Sequence, residues 1–435
     1  MKSLSQKLAR IHADSSSRDF IIADAKDADM AFGIRATGPR SYLSEKGAVP
    51  AQFSPEVWTR EEFGYRNIPE YLDIIREVVH QGLVDIMLMS AYINEQLTIK
   101  EGLFQKSHLT PAARANDTTD VWAVRHGSYI KEPAQTFRSA SIDHIQCGKH
   151  ECDRSGDEFP GANLGLYSVT FVNDLEQDRK TLQAFKDFRE EAEQKKFNYF
   201  LEVFNPNVPT GIPDEKLGEF INDHIVRSLA GVTEAGRPLF LKIVYQGPKH
   251  MEELVQYDPN MVVGILGGSA GTTLDAFQMI HDAQKYGARV ALYGRKINNA
   301  EHQLAFIQML RYITDGVLGP EEAVKAYHGI LESLKIKPAR SLNDDLTLSD
   351  QAMSYGGAPV KRKTVHASTR IPSAAGPAKS QPKPSTSSPR PASAKPAAGG
   401  DITWPVKPDG SPDFGSMTSS QRHAYHKARL KKTFG

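Results

Sequence analysis

The chain is predicted to fold as a (β/α)8 barrel, an α/β fold in which one parallel sheet closes on itself. Short apolar segments bounded by turn residues recur along the first 335 residues, as is typical of buried parallel strands. Segments with helical periodicity lie between many of them. Eight strands alternating with helices over this length indicate a barrel, and a doubly wound open sheet is the alternative.

The predicted elements are spread evenly along this region. The predicted strands are Phe20–Asp24, Leu83–Met89, Val121–Arg125, Leu166–Val172, Tyr199–Phe204, Leu239–Val244, Met261–Leu266 and Arg289–Tyr293. The predicted helices are Ile68–Gln81, Asp174–Lys195, Glu215–Leu229, Thr272–Tyr286, Asn299–Thr314 and Glu321–Lys335. Segments 25–67 and 131–160 have no such pattern. We expect them to be active-site loops, because barrel chemistry lies at the carboxyl ends of strands.

The C-terminal region differs from the rest in charge and composition. Residues 351–435 hold 14 Lys/Arg and 3 Asp/Glu, a charge of +11, whereas residues 1–350 hold 39 and 49, a charge of −10. Residues 357–400 contain eight prolines and no acidic residue, so they cannot bury a core. We predict a barrel over 1–340, a disordered linker over 341–400 and a basic segment over 401–435.

The basic segment regains aromatic residues and a helical pattern over Thr418–Thr433, with Ser419 or Ser420 as the predicted N-cap. It is interpreted either as a peptide that docks on a protein partner or as a solvated helix.

Composition also predicts where the protein acts. No apolar run approaches 18 residues, and the first 20 residues lack an apolar core, so we expect neither a membrane span nor a signal peptide. Only two cysteines are present, which argues against a disulfide scaffold and for a reducing, cytoplasmic location. A homo-oligomer is expected, and a nucleic-acid partner is not.

Lys242 lies inside the apolar run of the sixth predicted strand. Burial disfavours the charged form of a lysine, and a neutral amine is a nucleophile. A lysine at a barrel centre can therefore form a Schiff base; the alternative is a strand-end lysine that reaches solvent or pairs with a carboxylate. Glu202 of the fifth strand would meet Lys242 if both point inward, either as a proton shuttle or as a structural ion pair. Asp24 closes the first strand.

Two loops after the last strands have the composition of an anion site. Residues 266–272 (LGGSAGT) and 294–298 (GRKIN) each open a helix, and such loops bind phosphate in many barrels, although they can also serve only as helix caps. Arg295 offers a bidentate donor. The candidate ligands are Gly267, Gly268, Ser269, Gly271, Gly294 and Arg295, with Arg125 and Arg138 from the neighbourhood of the third strand.

One further group of residues has metal-binding chemistry. His144, Cys147, His150 and Cys152 are spaced by 3, 3 and 2 residues. This spacing lacks the two separated ligand pairs of most structural zinc sites. We expect ordinary histidines and reduced thiols here, and neither a metal nor another cofactor.

Residues 198–298 resemble the class I aldolase superfamily, near the tagatose-bisphosphate aldolases and the DhnA-type fructose-bisphosphate aldolases. The matching pieces are Phe200–Val203, Leu241–Ile243, Leu266–Gly271 and Tyr293–Arg295. The resemblance implies a carbon–carbon lyase that forms a Schiff base with a small phosphorylated ketose or keto compound. The region 125–138 has no assignable counterpart in these families.

The resemblance also implies roles for individual residues. Lys242 would be the Schiff-base lysine, Glu202 the proton shuttle and Asp24 a polar helper. The phosphate ligands would be Arg295, Gly268, Ser269 and Gly271. The alternatives are an inactive barrel that acts as a scaffold through its tail, and a metal-dependent lyase or isomerase.

Overall fold

The computed structural model describes most of the barrel region and short pieces of the C-terminal segment. The described residues are 1–14, 16–39, 64–156, 158–268, 271–349, 404–408, 412–413, 416, 418, 421 and 425. The chain divides into two units, Met1–Thr364 and Val365–Gly435. Within the described part, no helix has the length and apolar composition needed to cross a membrane.

Eight parallel strands close into a barrel in the first unit. They are β1 (Ile21–Lys26), β2 (Ile86–Met89), β3 (Thr110–Arg114), β4 (Leu164–Thr170), β5 (Asn198–Phe204), β6 (Leu241–Ile243), β7 (Val263–Leu266) and β8 (Val290–Tyr293). Each strand pairs with the next along the chain, and β8 pairs with β1. This closed ring confirms the predicted (β/α)8 fold. Outside it, Asp117–Thr118 pairs antiparallel with Thr136–Phe137.

Helices surround the barrel and connect its strands. They are α1 (Ser3–Ala13), α2 (Asp29–Phe32), α3 (Ile68–Gln81), α4 (Ala91–Asn94), α5 (Ile142–Cys147), α6 (Leu175–Gln194), α7 (Leu217–Leu229), α8 (Pro248–Tyr257), α9 (Thr273–Lys285), α10 (Arg295–Asn298), α11 (Gln303–Thr314), α12 (Pro320–Ser333) and α13 (Leu342–Asp345). Side-chain caps start several of them. Asn67, for example, accepts the N–H of Glu70 at 2.9 Å and begins α3 with a capping box.

The first helix covers the N-terminal end of the barrel. Ile21 and Ala23 of β1 belong to an interior apolar cluster that also contains Leu4 and Leu8 of α1. Ile22 lies between them in sequence and packs in the outer cluster with the surrounding helices, as strand alternation requires. The opposite, C-terminal end of the barrel is therefore the end where polar groups can form a site.

The third barrel strand is Thr110–Arg114, and the prediction of a strand over Val121–Arg125 is wrong. The sequence TPAAR contains Pro and Ala, which have low strand propensity, so local pattern alone does not find a strand that is stabilised by pairing with β2 and β4. The apolar residues of the predicted segment have another use. Val121 packs with Phe204 and Leu266 at the C-terminal end of the barrel.

Residues 341–349, which the sequence prediction assigned to the linker, pack on the barrel unit. They include α13, and Asp345 is buried and bonds to Thr273 of α9. The packed region therefore extends beyond residue 340.

In the second unit, Trp404 meets the Tyr425 ring edge-on at 5.3 Å. Thr418 Oγ1 accepts the N–H of Gln421 at 3.3 Å, and Gln421 and Tyr425 are helical. The linker residues 350–400, and Ser419 and Ser420, lie outside the described residues.

Candidate active site

Lys242 and Glu202 face each other inside the barrel. The strand register pairs Glu202 of β5 directly with Lys242 of β6. Phe200 and Phe240, each two positions before one of these polar residues, belong to the interior cluster, so both polar side chains point inward. Lys242 Nζ lies 2.5 Å from Glu202 Oε1, and the two residues are 7% and 1% exposed. The structure thus brings together the pair that the sequence suggested.

Three polar residues that the sequence analysis did not single out surround this pair. Ser168 of β4 donates to Glu202 Oε2 at 2.7 Å. Arg114, the last residue of β3, donates from Nε to Asp27 at 2.6 Å, and its guanidinium lies 3.8 Å from Glu202 Oε2. The Glu202 carboxylate therefore has a hydroxyl donor on one oxygen and an ammonium on the other, which holds it in one orientation.

Asp120 is a further buried carboxyl group near Glu202. Thr170 of β4 donates to Asp120 Oδ2 at 2.7 Å. Burial raises the pKa of Asp120, hydrogen bonds from Thr118 and Thr170 lower it, and the charge of Glu202 adds to the rise, with a net upward shift. Asp120 therefore keeps its proton to a higher pH than an exposed aspartic acid does.

A cleft of about 60 Å³ borders these groups. Its polar lining is Lys242, Glu202, Arg114, Asp27 and Arg295, and its loop lining is Gly267, Gly268 and Gly294. Gly267, Gly268 and Gly294 of the loops after β7 and β8 thus line the same cleft as Lys242.

A larger cavity of about 620 Å³ adjoins the cleft. The two share Ala28, Phe32 and Arg295, and the guanidinium of Arg295 lies 5.3 Å from the centre of the Phe32 ring. Arg35 and Tyr65 also line the larger cavity. A ligand too long for the cleft would therefore extend past Arg295 into a space with cationic and aromatic walls.

The glycines after β7 are required by close contacts and by backbone geometry. A Cβ atom at Gly267 would lie 2.2 Å from the Tyr293 ring, and Gly268 and Gly271 have φ angles of +60° and +86°. Lys296 donates to the carbonyl of Gly271 at 2.9 Å, and burial lowers the pKa of Lys296 to about 8. The remaining predicted ligand of this loop, Ser269, lies outside the described residues.

The first N–H groups of α9 already have carboxylate partners. Thr272 N donates to Asp275 Oδ2 at 2.7 Å, and Thr273 N donates to Asp345 Oδ1 at 2.7 Å. From the sequence, this helix N-terminus is predicted to face a bound anion. Because these two donors are in use, an anion in the cleft would depend on the loop itself and on Arg295.

Asp24 faces away from the cleft. It alternates along β1 with the inward residues Ala23 and Ala25, and its Oδ2 lies 3.0 Å from Lys26 Nζ, with both side chains 0% exposed. Burial raises the pKa of Asp24 and lowers that of Lys26. Strand β1 continues two residues beyond its predicted end, so the carboxylate at the opening is Asp27. The structure does not bring Asp24 to the site.

The two arginines predicted near the third strand are also outside the cleft lining. Arg125 is exposed, in the loop that was taken for a strand. Arg138 donates to the carbonyl of Ala115 at 3.3 Å, pairs with Glu191 of α6 and lies 5.4 Å from the Phe188 ring. Since α6 belongs to the outer helical layer, Arg138 stabilises the contact between helix and barrel.

Cys147 and Cys152 form a disulfide, with Cα atoms 5.7 Å apart. The prediction of reduced thiols is wrong in this structure, and the cysteines no longer argue for a reducing compartment. The physical reason is the left-handed residue Gly148, which turns the chain back after α5 and brings the cysteines within bridging distance. Among the described residues, no group of three or more His, Cys, Asp or Glu side chains is arranged to hold a metal ion.

Of the three site residues that were not predicted, Ser168 and Asp27 could have been found from the sequence, whereas Arg114 could not. Ser168 was detectable, because it lies two residues after Leu166 and therefore on the inward face of β4. Asp27 belongs to an acidic cluster directly after the first predicted strand. Arg114 had no local signal, because its strand was not recognised.

The chain matches no protein-family model and no curated protein sequence. Among solved structures it is similar to an archaeal fructose 1,6-bisphosphate aldolase (14% identity, TM-score 0.48, covering 72% of this chain and 100% of that one). It is also similar to a Schiff-base-forming fructose-1,6-bisphosphate aldolase, with 15% identity and a TM-score of 0.47 over 73% of this chain and 100% of that one. For the fructose-bisphosphate aldolase of Slackia heliotrinireducens the identity is 10% and the TM-score 0.49, over 76% of this chain and 92% of that one. Likenesses of this size carry no information about activity, and the fold is established by the strand pairing itself.

Proposed function

We propose that this protein is a class I carbon–carbon lyase that forms a lysine Schiff base with a small phosphorylated carbonyl compound. The observation that carries the proposal is the position of Lys242 Nζ, 2.5 Å from Glu202 Oε1 and at the wall of a cleft. A nucleophile within hydrogen-bond distance of a base, with that base oriented by a third group, is the arrangement needed for covalent catalysis. Here Ser168 is the third group.

The first half of the reaction joins the substrate to Lys242. Transfer of a proton from the ammonium to Glu202 gives the neutral amine, which adds to the substrate carbonyl. Glu202 returns this proton to the former carbonyl oxygen and then carries a second proton to it from the amine nitrogen, so that the oxygen leaves as water and a protonated imine remains on Nζ. Proximity of the two groups removes the need for a separate base from solvent.

The second half breaks the carbon–carbon bond. The bond that breaks joins the carbon next to the imine carbon to the hydroxyl-bearing carbon after it. The imine takes up the electron pair of this bond and becomes an enamine, while the hydroxyl proton of the departing fragment passes to Glu202. Arg114, 3.8 Å from Glu202, stabilises the carboxylate between the proton transfers. Protonation of the enamine and hydrolysis of the imine then release the second fragment.

Substrate binding depends on the loops after β7 and β8. Arg295 supplies charge at the point where the cleft and the larger cavity meet. The cleft takes the carbonyl, and the phosphate lies toward Arg295 and the loop at Gly267 and Gly268. The remaining substrate atoms extend into the larger cavity.

Borohydride reduction tests the proposal, because it converts an imine into a stable secondary amine. The full chain is incubated with borohydride and phosphorylated or unphosphorylated ketoses and aldoses, and the peptides are mapped by mass spectrometry. We expect a covalent mass on Lys242 with a phosphorylated carbonyl, and none on Lys249, an exposed lysine on α8. Absence of label with every carbonyl would reject the Schiff-base mechanism and favour an inactive barrel.

We also propose that residues 401–435 dock on a protein partner. Supporting this, Trp404 and Tyr425 pack together within the second unit, and aromatic anchors supply much of the energy of protein interfaces. Full-length protein and the variant Trp404→Ala/Tyr425→Ala are compared in turnover and in pull-down experiments. Equal turnover with loss of specific partners would support docking, and unchanged partners would reject it. A homo-oligomer remains a prediction.

A further inference from the structure

The last described part of the barrel unit crosses the first turn of α9, directly after the loop that follows β7. We call the described glycines of this loop, Gly267, Gly268 and Gly271, the glycine loop. We call residues 341–349 the strap. Thr273 N donates to Asp345 Oδ1 at 2.7 Å, and Thr272 Oγ1 donates to the carbonyl of Thr347 at 2.8 Å. The strap thus bonds to both residues that begin the helix.

A second pair of bonds fixes the end of the strap. Ser349 donates to the two oxygens of Asp275, from its N–H at 2.8 Å and from its hydroxyl at 2.5 Å. The same Asp275 accepts the N–H of Thr272. Strap, helix start and helix cap therefore form one hydrogen-bonded unit.

Asp345 is the central contact of the strap. It is 4% exposed, and its second oxygen lies 3.0 Å from His328 Nε2 on α12. Burial raises the pKa of Asp345, but hydrogen bonds with Thr273 and His328 lower it by a larger amount, so the net shift is downward. The carboxylate is therefore charged at neutral pH, where the dipole of α9 favours a negative group at its N-terminus.

Gly271, the last residue of the glycine loop, is fixed by its link to Thr272 and by a hydrogen bond from α10. Gly271 precedes Thr272 in sequence, and its carbonyl accepts a hydrogen bond from Lys296 of α10. The other end of the loop, Gly267 and Gly268, lines the cleft beside Lys242. Lys296 follows Arg295, which also lines the cleft, so a shift of the first turn of α9 would disturb Gly271 and, through Lys296, the helix start that carries Arg295.

We propose that the strap, through Asp345, positions the glycine loop for the anionic group of the substrate. Asp345 is a positioning residue, because its carboxylate bonds to α9 and not to a group in the cleft. The inference rests on the proposed function in naming the anion as part of a substrate. It adds that this binding depends on a segment far along the chain that contributes no residue to the cleft lining.

The test compares single substitutions in the full chain. Asp345→Asn removes the charge at the helix start. Thr273→Pro removes the N–H group that donates to Asp345. Proline is compatible with the first position of a helix and with the extended backbone of Thr272. Asp344→Asn is the matched control, because Asp344 is the exposed neighbour of Asp345.

Two readouts are measured: the dissociation constant of inorganic phosphate by calorimetry, and KM for a ketose phosphate and for the same ketose without phosphate. We expect Asp345→Asn and Thr273→Pro to weaken phosphate binding and raise KM for the phosphorylated compound about tenfold, the effect of a lost charged hydrogen bond. The unphosphorylated ketose and the control should change less than about twofold, within the surface-substitution range.

The opposite results are equally defined. Unchanged phosphate affinity in folded Asp345→Asn and Thr273→Pro proteins would overturn the role of the strap. Equal losses for both ketoses would also do so, because they would indicate a general structural defect. If no carbonyl labels Lys242, the lyase proposal fails, yet phosphate binding still decides whether the strap positions the loop. If Asp345→Asn does not fold, Thr273→Pro alone provides the comparison.

Discussion

Two lysine–carboxylate pairs lie on the strands of this barrel, on opposite sides of its wall. Lys242 and Glu202 point inward, 2.5 Å apart, and border a cleft. Lys26 and Asp24 point outward, 3.0 Å apart, and both side chains are completely buried. The functional groups are the same, so the difference lies in access. Burial perturbs a lysine, but only contact with a cavity lets its amine meet a substrate.

The surroundings of the two pairs differ in the same way. Around Glu202, Ser168 donates a hydrogen bond and Arg114 adds a second cation. Behind β1, burial shifts the pKa values of Asp24 and Lys26 toward the neutral forms of both groups. We call Asp24 and Lys26 the sealed pair, and Glu202 and Lys242 the open pair. The sealed pair is therefore a structural feature whose effect should be on stability, whereas the open pair should act on turnover. Substitutions at matched positions test this division.

The largest effect is expected from Lys242→Met. Methionine approximates the volume of the lysine stem without its amine, so the fold should survive while turnover falls by about 10⁴-fold or more, the scale seen when a nucleophile is removed. Lys26→Met is the matched control and should retain turnover within about tenfold, less than a general acid or base contributes. Comparable losses in the two variants, measured with circular dichroism as a check of folding, would remove the distinction between the pairs.

The next effect concerns stability. Lys26→Met leaves Asp24 buried without its cation and should lower the free energy of unfolding by about 3–5 kcal/mol, whereas replacing both residues by apolar ones should restore most of it. The pKa of folded Asp24 is already raised, so the fold binds a proton more tightly than the unfolded chain does. The contribution of Asp24 to stability therefore falls as pH rises above its ordinary pKa.

Denaturant titrations at several pH values measure whether the free energy of unfolding falls or rises with pH. In Lys26→Met, the deficit relative to the native protein should shrink as the pH is lowered toward 5 and more of Asp24 is protonated, and it should grow toward pH 8. A deficit that does not depend on pH would show that Asp24 is not the group left unpaired.

A smaller loss is expected from Glu202→Gln. Glutamine retains the shape of the side chain and can accept the Ser168 hydrogen bond, but it cannot take up a proton, so turnover should fall by at least about 10²-fold. Asp24→Asn is the control at the sealed pair, and its turnover should follow the fraction of folded protein. Full activity of Glu202→Gln would assign proton transfer to another group, and Asp27, the other carboxylate in the cleft lining, would be the candidate.

The smallest of these effects is expected from Arg295→Ala. Loss of a charged donor should raise KM for a phosphorylated substrate about tenfold or more, with little change in KM for an unphosphorylated one. Arg179→Ala, an exposed arginine on α6, is the control and should leave both constants unchanged. A KM that responds equally to both substrates would show that Arg295 does not bind the phosphate.

The open pair was predictable from the sequence because its signals are local. A charged residue in the middle of each of two apolar strands, FLEVF and FLKIV, identifies both partners, and barrel topology makes the strands neighbours. The glycine loops were found for the same reason, since their composition reports backbone geometry. Seven of the eight predicted strands overlap the observed ones, because each is an apolar run bounded by turn residues.

Only the tertiary structure decided which polar groups reach the cleft. The register of β1 turned Asp24 outward and placed Asp27 at the opening, because a shift of one position along a strand moves a side chain to the other face. Arg114 became visible only when pairing with β2 and β4 made a strand of TPAAR. The strap brought Asp345 to Thr273 across 72 residues. Local sequence records propensity and periodicity, whereas contacts between distant segments depend on how the whole chain packs.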